Sequence, residues 1–447
     1  MSINNLPAAL QIAIQQNWLE RAFQEGLRSK LIYAEIADEE DFPTKVGETV
    51  TKTRRGLKIP TTTPINPSTN TNFDNGLTPS EFSLEQYTMT MDMYGDTSNL
   101  NDVTSRVNIV PLFMQYQEVN GIQAAQSIDR LCRNAIFNTY NGGNTWVTAT
   151  LGAPGTTIAV DDIRKFNEIA VNGVMIPVSI THPRQVLVGS AYYNLISVAA
   201  DVVNTSLLAA QGGISGTLTF SGNVAVIDGT LKNHVVAKYS PVIIRPNARA
   251  TYTDLISTDT LTLRTLRDAV AVLRNSNVPA FANGRYRLYL DQDTMNGLYL
   301  DQQFKEIFYA RYQSEEFQEG FIGNISGVDF YLTTEAFQQD YNTGSSILRI
   351  HRPILCGSGA LIRGNFEGTE QAIAEKQGAG AENVITRLVD NVAYVIRPPM
   401  DRLGQIYALS WYTILGFAIP SDTTVTKDII PTSTESYYKR AVVIECA

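Results

Sequence analysis

The sequence predicts an α+β protein built from more than one packing unit. Three observations predict it. Apolar residues recur at three- and four-residue steps in a few long stretches, above all over residues 119–140. Elsewhere they alternate at period two between turns rich in Gly, Asn and Pro, the pattern of half-exposed strands. The chain has 447 residues, whereas a single hydrophobic core stops growing at about 250–300.

The elements follow in order. Leu10, Ile14, Trp18, Ala22 and Phe23 make a helical stripe that Leu27 and Leu31 extend. An acidic cluster, Asp38, Glu39, Glu40 and Asp41, comes next. Residues 45–110 are rich in Thr, Pro, Asn and Gly and alternate at 49–52 and 87–91. They predict a protruding two-stranded ribbon with a long polar tip, marginal unless it lies on something. Its first strand gathers Lys45, Lys52, Arg54, Arg55 and Lys58. Over 119–140, Ile122, Ala125, Ile128, Leu131, Ala135 and Ile136 form one stripe of a helix that Asn141, Gly142 and Gly143 stop.

Between 144 and 250, Asp161 and Asp162 open a predicted helix through Ile163, Phe166 and Ile169. Strands are expected at 178–181 and 185–188, a second helix over 191–210, and a hairpin from 217–220 into 223–227 that turns on Ser221-Gly222. A comparable order recurs downstream. Thr260 is placed to cap a helix carrying Leu263, Leu266, Val270 and Leu273. Strand 287–290, a helix over 293–312, and short strands bracketed by Gly320, Gly323 and Gly327 follow. The recurrence fits either a duplication or two independent α+β units. The last third is Gly-rich with strand character and ends in a strand at 441–445.

Charge narrows the function. Charged residues are 18%, below the usual value of about 25%, and the net charge is −9. A nucleic-acid gripper is normally basic or carries a dense basic face. No apolar run of about 18 residues exists to span a membrane, and the N-terminus lacks the basic start of a secretion signal. Cys132, Cys356 and Cys446 are odd in number and lack metal-like spacing, so a reducing compartment is expected. Low charge fits a chain that hides surface in an assembly.

No phosphate loop is present, and Ser326 sits one place late for a nucleophile elbow. His182, His234 and His351 share no ligand spacing and read as structural or surface residues. Asp291 and Asp293 read as acids dressing a helix N-terminus, without an acid–base partnership with Asp301. No catalytic, cofactor-binding or metal residue is assigned, and the chain is expected not to be an enzyme. Neighbouring clusters of opposite sign, in segments read as flexible, suit pairing between subunits. The contact candidates are therefore Asp38, Glu39, Glu40, Asp41, Lys45, Lys52, Arg54, Arg55 and Lys58.

The run YRLYLDQDTMNGLYLDQQFKEIFYARY, followed by GFIGNISGVDFYLTTEAF, is similar to the peripheral-domain run of one phage capsid subfamily. DRLGQIYALSWYTILGFAIP resembles that subfamily's closing D-P-L-G-Q motif and aromatic strand, with Arg402 where proline is usual. With the order of elements, the chain resembles the major capsid protein of tailed bacteriophages, a fold shared with herpesvirus capsids and encapsulins. The resemblance implies an N-terminal arm at 1–44, an extended β-ribbon loop at 45–110 and a spine helix region at 111–143. It implies an inserted or elaborated α+β domain at 144–254 and a peripheral domain at 255–345. An axial domain with return strands would fill 346–420, and a C-terminal strand or tail 421–447. It further implies a shell subunit that assembles with itself into hexamers and pentamers of an icosahedral head around double-stranded DNA. Scaffold, portal and decoration proteins would be its other partners, with no sequence-specific DNA contact, no membrane and no cofactor. The subunit would assemble in the host cytoplasm and reside in the virion. An encapsulin-like compartment stays open as an alternative, and a β-rich tail or fibre protein as a more distant one.

Overall fold

The computed structural model describes residues 21, 23–24, 27, 32–42, 49–55, 61–64, 68, 84–101, 112–201, 212–309, 324–344, 346–366, 385–397, 399, 401–422 and 436–447. The fold is mixed α+β, with several sheets and few helices. The chain divides into two compact units. One comprises Met1–Thr51, Thr88–Ala135 and Leu361–Ala418, and the other Lys52–Tyr87, Ile136–Ala360 and Ile419–Ala447.

Backbone at Arg21, Phe23, Gln24 and Leu27 is helical, with Phe23 and Leu27 buried as the stripe predicts. Leu10, Ile14, Trp18, Ala22 and Leu31 lie outside the described residues. Strand β1 (Ala37–Phe42) takes up the acidic cluster, for which the sequence reading had no strand. The ribbon strands are β2 (Thr49–Arg55) and β3 (Leu84–Asn101), and they pair with each other. Most of the tip lies outside the described residues.

Helix α1 (Leu112–Tyr140) has 29 residues. It starts before the predicted stripe because its first turns are built from good helix formers, Leu, Met, Gln and Glu, that need no apolar face. Ala125, Ile128 and Ile136 are buried and Ile122, Leu131 and Ala135 half-buried. Cys132, Phe137 and Tyr140 are buried beside them. A Cβ on Gly121 would stand 2.4 Å from the Phe23 carbonyl oxygen, so glycine lets the N-terminal helical segment lie directly on α1. Gly143 has φ +79°, the left-handed conformation expected just past a helix end.

The next strands are β4 (Asn144–Trp146), β5 (Gly155–Val160), β6 (Glu168–Val171), β7 (Val174–Pro177), β8 (Arg184–Val188), β9 (Ala191–Ala200), β10 (Gly216–Val224), β11 (His234–Ala237) and β12 (Ile243–Ile244). Six of them form a sheet in the order β4-β11-β8-β9-β10-β5. A bridge from Val147 to Val160 returns β5 to the chain just after β4 and closes the sheet into a barrel. Closure removes the open edges that would otherwise invite pairing. Ile158, Val186, Leu195, Leu218, Phe220 and Val235 are among the residues filling the interior.

Several sequence expectations fail here, each for a local reason. The helix opened by Asp161 and Asp162 is a turn followed by β6. Asp162 Oδ1 accepts from the N–H of Arg164 (3.0 Å) and of Ile214 (3.3 Å), a side-chain bond that competes with helix. Lys165 sits at φ 62°. Ile163 and Phe166 are buried, but in the barrel core. The helix over 191–210 is strand β9 as far as Ala200, since pairing with β8 and β10 decides a stretch rich in Tyr, Ile and Val. Residues 202–210 lie outside the description. The hairpin on Ser221-Gly222 is absent, because β10 runs straight through. Neither residue has the positive φ that a two-residue hairpin needs, and a register irregularity against β5 absorbs the pair. The hairpin signal passed over was Asn172-Gly173. With φ 53° and 78°, that pair turns β6 into β7. The strand expected at 178–181 is β7, a few residues earlier. The described part of this stretch thus holds strands and 3-10 turns, without the helices that made it comparable to the downstream one.

Helix α2 (Leu263–Asn275) is capped by Thr262, not Thr260. The Thr262 hydroxyl accepts from Thr265 N–H, and Leu263, Leu266, Val270 and Leu273 are buried as predicted. Strand β13 (Tyr286–Leu290) follows, then α3 (Gln292–Leu300) and α4 (Gln302–Tyr309), where a single helix was predicted. Asp301 divides them. Its carboxylate accepts from Leu263 N–H at 2.8 Å and from Gln303 N–H at 3.1 Å, which caps α4 and ties it to α2. Residues 310–312 of the predicted helix, Gly320 and Gly323 lie outside the description. Strands β14 (Asn324–Ile325), β15 (Val328–Leu332), β16 (Phe337–Asn342), β17 (Ile347–Arg352) and β18 (Ile354–Cys356) come next. Beyond them are β19 (Leu361–Phe366), β20 (Ile385–Val389), β21 (Val392–Arg397), β22 (Ile406–Ala418) and β23 (Ala441–Ile444). A sheet ordered β12-β23-β18-β13-β15-β14 packs on α2 and α3 through Leu266, Leu273, Leu288, Leu298 and Val442.

Candidate inter-subunit surface

In the first unit β22 is the organising strand. Its alternating burial reflects the alternation in its sequence. One edge pairs with β3 from Ile406↔Asn101 to Gly416↔Met91, and the other is shared by β21 and β19. Trp411 Nε1 on β22 donates to Gln123 Oε1 on α1 at 3.2 Å, and Gln123 Nε2 donates to Asp96 on β3 at 2.5 Å. The turn before β22 explains the D-R-L-G-Q run. The Asp401 carboxylate accepts the N–H groups of Leu403, Gln405 and Ile406 at 3.3, 2.9 and 2.9 Å, and Gly404 takes φ 65°. Those backbone donors, the Ile406 N–H first, hold the Asp401 carboxyl below its usual range. Aspartate and glycine carry this turn.

β3 has 18 residues, about 60 Å at the usual rise per residue. Met89 and Leu100 are buried, but Met93 is 73% exposed and most positions between are open. β2 attaches to it, with Thr49 Oγ1 3.4 Å from Thr90 Oγ1. Among the described residues no second strand pairs with β2.

The charged candidates divide. β1 runs parallel to β19, so Asp38, Glu39, Glu40 and Asp41 stand on an ordered strand rather than a flexible segment. Asp38, Glu39 and Asp41 are exposed and Glu40 half-buried. Glu39 meets Arg363 within the chain and accepts from Asn365 Nδ2 at 3.3 Å. The sequence reading missed this pairing because its partners are far apart in the chain. Lys52 is half-buried in β2, and Arg54 and Arg55 lie on the same strand. Lys45 and Lys58 lie outside the described residues.

One anchor was not foreseen. Asp129 Oδ1 on α1 accepts the N–H groups of Ile32, Tyr33 and Ala34 at 2.8, 2.6 and 3.2 Å. A single buried carboxylate thereby fixes the turn that launches β1. Its sequence signal was an acid flanked by the predicted apolar stripe, next to Ile128.

For chemistry, His182 lies exposed in a turn and His234 opens β11. His351 is buried in β17, against Asp291. Among the described residues no helix is long and apolar enough to cross a membrane.

No protein-family model matches the sequence, and no curated protein matches it. Solved structures do. The capsid of Ralstonia phage GP4 is 12% identical, covering 94% of this chain and 92% of that one, with a TM-score of 0.48. The acid-stable capsid of Helicobacter pylori bacteriophage KHP30 is 11% identical, covering 93% and 91%, with a TM-score of 0.45. The capsid of cyanophage P-SCSP1u is 10% identical, covering 94% and 89%, with a TM-score of 0.46. Over more than nine-tenths of its length the chain is thus similar to bacteriophage capsid structures.

Proposed function

We propose that this chain is the repeating shell subunit of a tailed-phage head. It is a structural protein, not an enzyme, that assembles into hexamers and pentamers of an icosahedral shell around double-stranded DNA. The observation that carries the reading is the β2/β3 ribbon. A monomer has little use for an 18-residue strand with an open face, joined to a second strand that pairs with no other described strand. A lattice of identical copies supplies a surface for the face and a partner for that strand, and repeated head-to-tail contacts close into rings. The 29-residue helix α1, anchored to the first unit's sheet and to the start of β1, provides a rigid spine for such a subunit. The low charge suits a subunit covered by neighbours, and the net charge of −9 suits a container that must not grip its polyanionic cargo.

In this reading residues 45–110 are the extended loop that lies on a neighbour, and 1–44 the arm that enters the same contact. Asp38, Asp41, Lys52, Arg54 and Arg55 are contact residues, joined by Lys45, Lys58, Glu39 and Glu40. Scaffold, portal and decoration proteins are the further partners. The host cytoplasm is the place of assembly and the virion the destination. Negative-stain microscopy of the purified chain tests the assembly, with rings and closed shells expected. Discrete monomers under every condition would refute it. Nuclease-protected DNA inside particles formed during infection separates a phage head from a cargo compartment. Charge reversal at Arg54 and Arg55 should block assembly and leave the thermal melt of the subunit unchanged. Normal assembly of that variant would remove the ribbon charges from the mechanism.

A further inference from the structure

Three potential metal donors from two parts of the chain meet in the second unit. Asp291 follows β13, Asp293 lies in the first turn of α3, and His351 stands near the end of β17. One donor atom from each lies within 4.8 Å of the others. Atoms bound to one ion at about 2.0–2.2 Å stand roughly 3–4 Å apart, so small rotamer adjustments complete such a set.

The surroundings are built, not incidental. Asp291 is buried, and Thr294 Oγ1 and Gln338 Nε2 (3.1 Å) donate to its two oxygens. Non-ligand groups thus fix the direction of the carboxylate, as outer-shell partners do at metal centres. The His351 backbone is clamped to Cys446 by N–H···O bonds of 2.8 and 3.1 Å. The His351 side chain is 9% exposed. Its Nδ1 stands 2.7 Å from Asp291 Oδ2, so the imidazole and the carboxylate already face each other. Both His351 and Asp293 line a cavity of about 440 Å³, together with Thr260, Thr294, Arg349 and Cys446. The cavity gives an ion access and leaves room for water ligands. Arg349 is the nearby cation, and Asp340 at 2.9 Å offsets its charge.

We propose that Asp291, Asp293 and His351 bind one divalent transition-metal ion of the zinc type. The donor set selects this class. Two carboxylates alone would suit a hard ion such as Mg²⁺, whereas imidazole favours borderline ions. The ion ties the start of α3 to β17 and so stabilises the second unit whether or not the chain is assembled.

The test is calorimetric titration of the full chain with Zn²⁺, paired with thermal melts. One equivalent should bind, and the melting temperature should rise with Zn²⁺. Asp293→Asn changes an exposed side chain and should fold normally. It should weaken binding by at least about tenfold, the scale of losses at metal sites. His351→Gln should abolish binding, and millimolar Mg²⁺ should not compete. No heat and no melting shift up to about 1 mM Zn²⁺ would overturn the proposal. Binding that Asp293→Asn leaves unchanged, or that Mg²⁺ displaces, would overturn it equally.

Discussion

Glu445 is a buried charge in the second unit that meets two arginines. Its carboxylate follows β23 and is 2% exposed. Oε1 accepts from Arg352 Nε at 2.8 Å and Oε2 from Arg245 Nε at 2.7 Å. Arg352, itself 2% exposed, also donates to Gln339 Oε1 at 2.6 Å and stands 5.4 Å over the Tyr252 ring. Replacing Glu445 by Ala leaves two desolvated guanidinium groups facing a void. Removing one partner of a buried ion pair costs about 3–5 kcal/mol. For a unit of this size that lowers the melting temperature by about 5–8 °C. Glu445→Gln keeps the shape and loses the charge, at a cost of about 2–3 kcal/mol for two charge-assisted bonds. Replacing Arg245, Glu445 and Arg352 together by Met, Leu and Met should recover most of the loss, because an apolar triad has no charge left unpaired. Urea unfolding at constant slope reads these differences directly. The pH profile gives a second signature. Burial pushes the Glu445 carboxyl up, but Arg245 and Arg352 outweigh it and hold it below its ordinary value. A depressed folded-state pKa stabilises above the unfolded value of about 4.3 and is lost as pH falls through the folded one. Glu445→Gln should therefore flatten part of the acid-side decline below about pH 4. An Ala variant within about 1 kcal/mol of the parent, with an unchanged acid limb, would refute the reasoning.

Two other outcomes are expected. Asp129→Ala strands the three backbone N–H groups of Ile32, Tyr33 and Ala34 and should cost the first unit about 2–4 kcal/mol in urea unfolding. Asp129→Asn, which keeps an acceptor, should cost roughly half as much, and equal losses would argue against the anchor. Burial pushes the Cys132 and Cys446 thiols up to about 12, and Cys356 well above its ordinary value. All three should resist iodoacetamide at neutral pH until urea unfolds the chain. Labelling of native protein within minutes, seen by mass spectrometry, would contradict the packing.

Much of the fold was legible locally. The α1 stripe, the α2 stripe through Leu263, Leu266, Val270 and Leu273, and the strands at 185–188, 287–290 and 441–445 all show their period in the sequence. The barrel was legible only in part. Residues 191–200 carry Tyr, Ile and Val without a decisive period, and neighbours on both sides made them a strand. Of the surface, the ribbon and its basic strand could be read. Asp129 as an anchor and Arg363 as the partner of Glu39 could not, because their partners arrive from distant segments.

By itself the sequence determined the periodic elements, the low charge and the two-stranded ribbon, since each depends on residues within one or two turns of chain. Tertiary structure alone decided that six short strands close into a barrel, because closure rests on a bridge between Val147 and Val160 that no local pattern encodes. It also decided which charges meet. Glu445 with Arg245 and Arg352, and His351 with Asp291 and Asp293, are brought together only when sheets pack and water leaves. Desolvation makes such encounters energetically decisive, and sequence spacing carries no record of it.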